Sequence, residues 1–88
     1  MGDRSLEQEV LALFVQQALS VRDRIVDADI KDRLLLAHGL KGSARGVGAF
    51  AIADCVTEIE RRPEDNQTLK QLGTLIDEVR DFIAAISR

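Results

Sequence analysis

Apolar residues along the 88-residue chain recur at steps of three and four, the period of helices. Leu6, Val10, Leu13, Phe14, Ala18, Val21 and Ile25 form one stripe, predicting a first helix that runs to about residue 26. Ser5-Leu6-Glu7-Gln8 matches a capping box, which makes Ser5 the expected N-cap. Asp27-Ala28-Asp29 offers cap chemistry for a second helix over residues 30–45, and Gly46 and Gly48 around Val47 predict a break. Ile52, Cys55, Val56 and Ile59 mark a third helix, ended by Arg61-Arg62-Pro63 because proline disfavours helical backbone in the residue before it. Pro63-Glu64-Asp65 suits the first turn of a fourth helix. Leu69, Leu72, Ile76, Val79, Ile83 and Ile86 then give the cleanest seam. No stretch pairs strand alternation with a hairpin turn. The expected fold class is all-α, an antiparallel up-down four-helix bundle.

Composition narrows the chemistry. Hydrophobic residues make up 45% and aromatics only 3%, so the core is expected to be aliphatic, within one domain over residues 1–88. A net charge of −3 argues against nucleic acid as the main partner, which calls for a concentrated basic surface. The single cysteine, Cys55, excludes an internal disulfide and fits a reducing cytoplasm. No second thiol or histidine stands at ligand spacing from it, so it is expected to be a small buried core residue. No apolar run approaches the roughly 20 residues that span a bilayer, and the start reads as no signal core, so no membrane partner is expected. The Met1-Gly2 start carries Leu6 where a myristoylation signal prefers Ser or Thr. A monomer is expected if the four stripes satisfy one another; a leftover apolar face would change that.

His38 is the only histidine. One histidine cannot build a hydrolytic triad or a protein-only metal site, but a neutral imidazole is a good nucleophile and can carry a phosphoryl group. On a helical wheel Leu36, Leu40, Ser43 and Val47 cluster opposite His38, with Ala37 and Ala44 on a flank. Lys31, Leu34, Leu35, Lys41, Gly42 and Arg45 lie around it. Lys41 and Arg45 can offset phosphate charge, and Gly42 leaves room for a partner's approach. Leu34 and Leu35, with Lys31, read as a docking patch or as contacts with the first helix. Gly42 and Ser43 could equally serve close helix packing. Gly46-Val47-Gly48-Ala49-Phe50-Ala51 formally fits a dinucleotide fingerprint, but a helix precedes it where a strand is required, and no Gly-Lys-Ser/Thr forms a Walker loop.

The run His38-Gly39-Leu40-Lys41-Gly42-Ser43-Ala44, continuing through Val47-Gly48-Ala49 to Ile52, Cys55, Ile59 and Glu60, resembles the signature of histidine phosphotransfer (HPt) domains. The resemblance implies a four-helix bundle in which His38 is phosphorylated on Nε2. Its phosphate partners would be a response-regulator receiver domain, a hybrid histidine kinase, or both. It also implies that Lys41 stabilises the phosphate. No cofactor is expected in this chain: it shows no acidic cluster beside His38, so the receiver would bring the Mg²⁺ that phosphoryl transfer uses. Two features depart from the family's pattern. The chain is short for the family, and Arg45 and Gly46 stand where many members carry small or amide residues.

The expected role is that of a carrier in a two-component phosphorelay, not an enzyme. A bundle that only docks on a receiver or kinase is the competing reading, and acid-labile phosphate on His38 separates the two. A transmitter-kinase fragment is disfavoured, since no nucleotide-binding region is present.

Overall fold

In the computed structural model, which describes residues 3–86, four helices follow one another: α1 (Asp3–Ile25), α2 (Ile30–Val47), α3 (Phe50–Arg61) and α4 (Asn66–Ile86). No strand occurs among the described residues, in line with the all-α expectation. Met1 and Gly2, on which the myristoylation reading rests, lie outside them. Each helix packs on two neighbours, α2 and α4 both lying against α1 and α3, so the four close a ring. None of them is long and apolar enough to cross a membrane.

The helix ends follow local chemistry. Asp29 sits in extended backbone before α2, and its carboxylate accepts the Asp32 N–H at 2.8 Å. At the other end Gly48 takes φ 81°, the left-handed region that suits glycine. Its N–H donates to Arg45 O at 3.2 Å while the Ala49 N–H donates to Ala44 O at 2.8 Å, the paired bonds of a Schellman stop. Gly46 stays helical, so α2 runs two residues past the expected break, and Gly48 alone ends it. The expected Ser5 cap is corrected, because α1 is already helical from Asp3: neither Asp3 nor Arg4 is a helix breaker. The fourth helix also starts later than expected. Pro63–Asp65 form a turn, closed by Asp65 N–H donating to Arg62 O at 3.1 Å. The Asp65 carboxylate then accepts from Gln67 N–H at 2.9 Å, as aspartate does better at a cap than inside a helix.

The core takes Phe14, Ala18, Val21 and Ile25 from α1, Ile52, Val56 and Ile59 from α3, and Leu69, Leu72 and Ile76 from α4. Cys55 is buried among them as expected, and burial first, then the charge of Glu58, pushes its thiol up to about 11. On α2 the buried line is Arg33, Ala37, Leu40 and Ala44. The expected core face of Leu36, Leu40, Ser43 and Val47 was therefore rotated. The small flank residues, Ala37 and Ala44, are central because α2 lies close between its two neighbours. The α1 stripe is also only half used, since Leu6, Val10 and Leu13 remain exposed.

Arg33 is the polar member of the core, 8% exposed. Its Nε donates to Ile25 O at 2.9 Å, and Nη2 donates to Val26 O and Ala28 O at 2.8 and 3.2 Å. Nη1 donates to Pro63 O at 2.6 Å. One guanidinium thus closes the end of α1, the α1–α2 connection and the α3–α4 turn. The fork geometry is what lysine lacks. Arg33→Met and Arg33→Lys should each lower the unfolding free energy by about 2–3 kcal/mol in urea denaturation. Full retention of stability in the lysine variant would show that charge alone suffices.

Candidate functional site

The inward line on α2 dictates what points out. His38 follows the fully buried Ala37 and has 76% of its side chain exposed. Lys41 follows the fully buried Leu40, a quarter-turn round the helix toward α3, and is mostly covered. On α3, Glu60 follows the buried Ile59 and comes round to meet them, its side chain 24% exposed.

One carboxylate serves both neighbours. Glu60 Oε1 lies 2.5 Å from Lys41 Nζ, and Oε2 lies 3.6 Å from His38 Nδ1. The second distance is too long for a direct hydrogen bond but short enough for electrostatic orientation. Nδ1 thereby faces α3, and Nε2 is the ring nitrogen left for a ligand. The Glu60 carboxyl is held below the usual carboxylate range, chiefly by the Lys41 hydrogen bond and that cation's charge. His38 adds a smaller lowering, and burial opposes both.

The other expected site residues divide into two groups. Gly42 has open space where a Cβ would lie, so it serves no close helix packing and leaves the approach to His38 clear. Gly39 and Gly46 are equally open. Ser43 returns its hydroxyl to Gly39 O at 3.3 Å. Leu35 is 65% exposed, an apolar side chain in water one turn before His38, while Leu34 is half-buried. Lys31 and Arg45 are exposed two turns to either side, about 10 Å along the helix, and pair with no described carboxylate. His38 and Lys41 are therefore brought together, whereas Lys31 and Arg45 stand off. No cluster of three or more metal-ligating side chains occurs among the described residues.

Glu60 is the side chain of this candidate site that sequence reasoning left without a role. It closes the matched motif and directly follows the last core residue of α3, the one signal that could have marked it.

The lowered Glu60 pKa carries a sign. Its stabilising contribution is fully present above the ordinary carboxyl pKa of about 4.3 and is lost as pH falls through the lower folded-state value. A carboxyl NMR titration should place the Glu60 midpoint below that of an unperturbed glutamate, and Lys41→Met should move it up. An unchanged midpoint in Lys41→Met would remove Lys41 as the cause.

Comparison with known sequences falls on the same residues. The Hpt domain model matches residues 9–87, which includes every residue of the site. The phosphorelay protein LuxU of Vibrio vulnificus, in strains YJ016 and CMCP6, is 30% identical to this chain over 83 residues. Those alignments cover 90% of this chain and 66% of each relative, so the chain spans just under two thirds of their length. No solved structure matches. With its family match running almost from end to end over a four-helix fold, the chain belongs to the Hpt domain family.

Proposed function

We propose that this chain is a phosphoryl carrier in a two-component phosphorelay, a single Hpt domain in the cytoplasm without catalytic turnover of its own. The observation that carries the reading is the exposed imidazole of His38, whose Nδ1 is turned to Glu60 while Nε2 is open. The helices are read as an up-down antiparallel bundle. Support comes from the groove in which Leu11 and Phe14 of α1, Val47 at the end of α2, Ala49 just before α3, and Phe82, Ile83 and Ile86 at the end of α4 meet.

In the forward step the Nε2 lone pair attacks the phosphorus of a receiver aspartyl phosphate. The Nε2–P bond forms as the P–O bond breaks, and the electron pair leaves with the aspartate carboxylate. The proton on Nδ1 stays in place, and the positive charge that develops on the ring faces Glu60 at 3.6 Å. The return step reverses these bonds, with the imidazole as leaving group. Mg²⁺ chemistry is assigned to the receiver, since the acid nearest His38 is committed to Lys41.

Lys41 starts as the partner of Glu60, so a phosphoryl group on Nε2 shares that ammonium with the carboxylate. Lys31 and Arg45, about 10 Å along the helix from the ring, steer an acidic partner by their field. Leu35 and the open backbone at Gly42 supply the docking contact.

His38→Gln should abolish labelling by a phosphorylated receiver while the helical CD signal persists; retained labelling would sink the proposal. Gly42→Leu separates docking from folding. It should melt at or above the wild-type temperature, because Gly is the poorer helix former by about 0.5–1 kcal/mol and nothing crowds the site. Phosphoryl uptake should nevertheless slow, and an unchanged rate would place docking elsewhere.

A further inference from the structure

Lys31 and Arg45 stand equally far from His38 along α2, yet their surroundings differ. Lys31 is followed by Asp32 and comes two residues after the cap Asp29, so both signs of charge meet at that end of the helix. From Arg33 to Ala53 the sequence holds no aspartate or glutamate. Of the cations in that stretch, Arg33 is buried on backbone carbonyls and Lys41 is held by Glu60. Arg45 is left exposed, with no ion pair to any described carboxylate. Gly42, one turn before it, and Gly46, next to it, both have open space where a Cβ would lie, so bare backbone flanks the side chain. A last-turn cation suits the negative pole of α2, but lysine would serve that pole equally.

Seven residues are almost two full turns, so Arg45 leaves the helix in the same direction as His38, about 10 Å along the axis. That is too far for the phosphoryl group but close for a docked protein. A standard interface covers roughly 800 Å² on each partner, a disc of about 16 Å radius, and a small one of about 600 Å² still reaches about 14 Å. The bundle measures 44 × 19 × 18 Å, so a footprint centred on His38 lengthens along the helices more than across them. A receiver that delivers phosphorus to Nε2 therefore covers Arg45. A guanidinium covered without a partner charge is costly, whereas a carboxylate meets its fork in two parallel hydrogen bonds. Resting on the carrier reading above, we propose that Arg45 is a specificity-determining residue for the docking receiver. It admits receivers that present a carboxylate about 10 Å from their phosphoaspartate. It rejects those that present an apolar or basic side chain there.

Phosphoryl uptake by His38 from a panel of receiver domains, each phosphorylated with acetyl phosphate, tests the assignment. Arg45→Lys keeps the charge and loses the fork, so uptake from the best wild-type donor should slow about tenfold with CD unchanged. Arg45→Glu should slow it about a hundredfold or more, and should accept receivers that the wild type rejects. In a scan of the best donor's acidic surface residues, one replacement by arginine should restore uptake by Arg45→Glu. A wild-type rate in Arg45→Lys would leave field steering alone and overturn the proposal. Equal slowing with every receiver, or a scan without a restoring replacement, would overturn it too. A wild-type chain labelled by no receiver would instead bring down the carrier reading, and this proposal with it.

Discussion

The Arg33 guanidinium is the contact on which the rest of the arrangement depends. A buried cation without a carboxylate would ordinarily be expensive. Here it sits against Ile25 O and Val26 O, at the end of α1 where unsatisfied carbonyls and the negative pole of the helix dipole coincide. The charge is therefore met by backbone that needed donors in any case. Because the same group also holds Pro63 O, it fixes the rotation of α2 against both neighbouring connections. Once Arg33 points inward, Ala37, Leu40 and Ala44 must follow it at helical spacing, and His38 and Gly42 must face out.

That rotation explains why the site is assembled from two helices. Ala37 and Ala44 present little bulk to the core, so α2 can lie close to α3, where Ile52, Val56 and Ile59 supply the volume. Close approach is what lets Lys41 and the ring of His38 reach the same carboxylate of Glu60. A leucine at 37 or 44 would widen the gap and separate histidine from its orienting partner without touching either. Packing and chemistry are thus set by one choice of small residues.

The periodicity made the four helices and the outward direction of His38 legible, because both depend only on spacing. The motif made Lys41 and Gly42 legible as neighbours of the ring. What it could not reveal were the contacts that join distant segments. Arg33 looks like a solvated cation beside Ile30 and Leu34, and only the return of the α1 and α3 ends shows what it holds. The rotated core face has a related cause: the wheel weights bulk, and alanine carries little, so Leu36 and Val47 outvoted Ala37 and Ala44. The α1 and α4 stripes were read to their ends as core because a stripe says which face is apolar. It does not say how far a neighbouring helix extends to cover it.

The weakness of the interactions around His38 is itself suited to the proposed carriage. A group that accepts phosphate and later gives it up must not hold it deeply, since every 1.4 kcal/mol of added stabilisation costs a tenfold in release. His38 is 76% exposed, so ion pairs made there are screened by water and each worth about 1 kcal/mol or less. Lys41 is already engaged by Glu60, and its help to a phosphoryl group comes net of that prior contact. Lys31 and Arg45 stand about 10 Å away along the helix, near the screening length in physiological salt. None of these holds the phosphate as a buried arginine pocket would. In the proposed carriage the bundle sets only which way α2 presents the histidine, and a phosphate held loosely in solvent leaves the direction of transfer to the partner that docks.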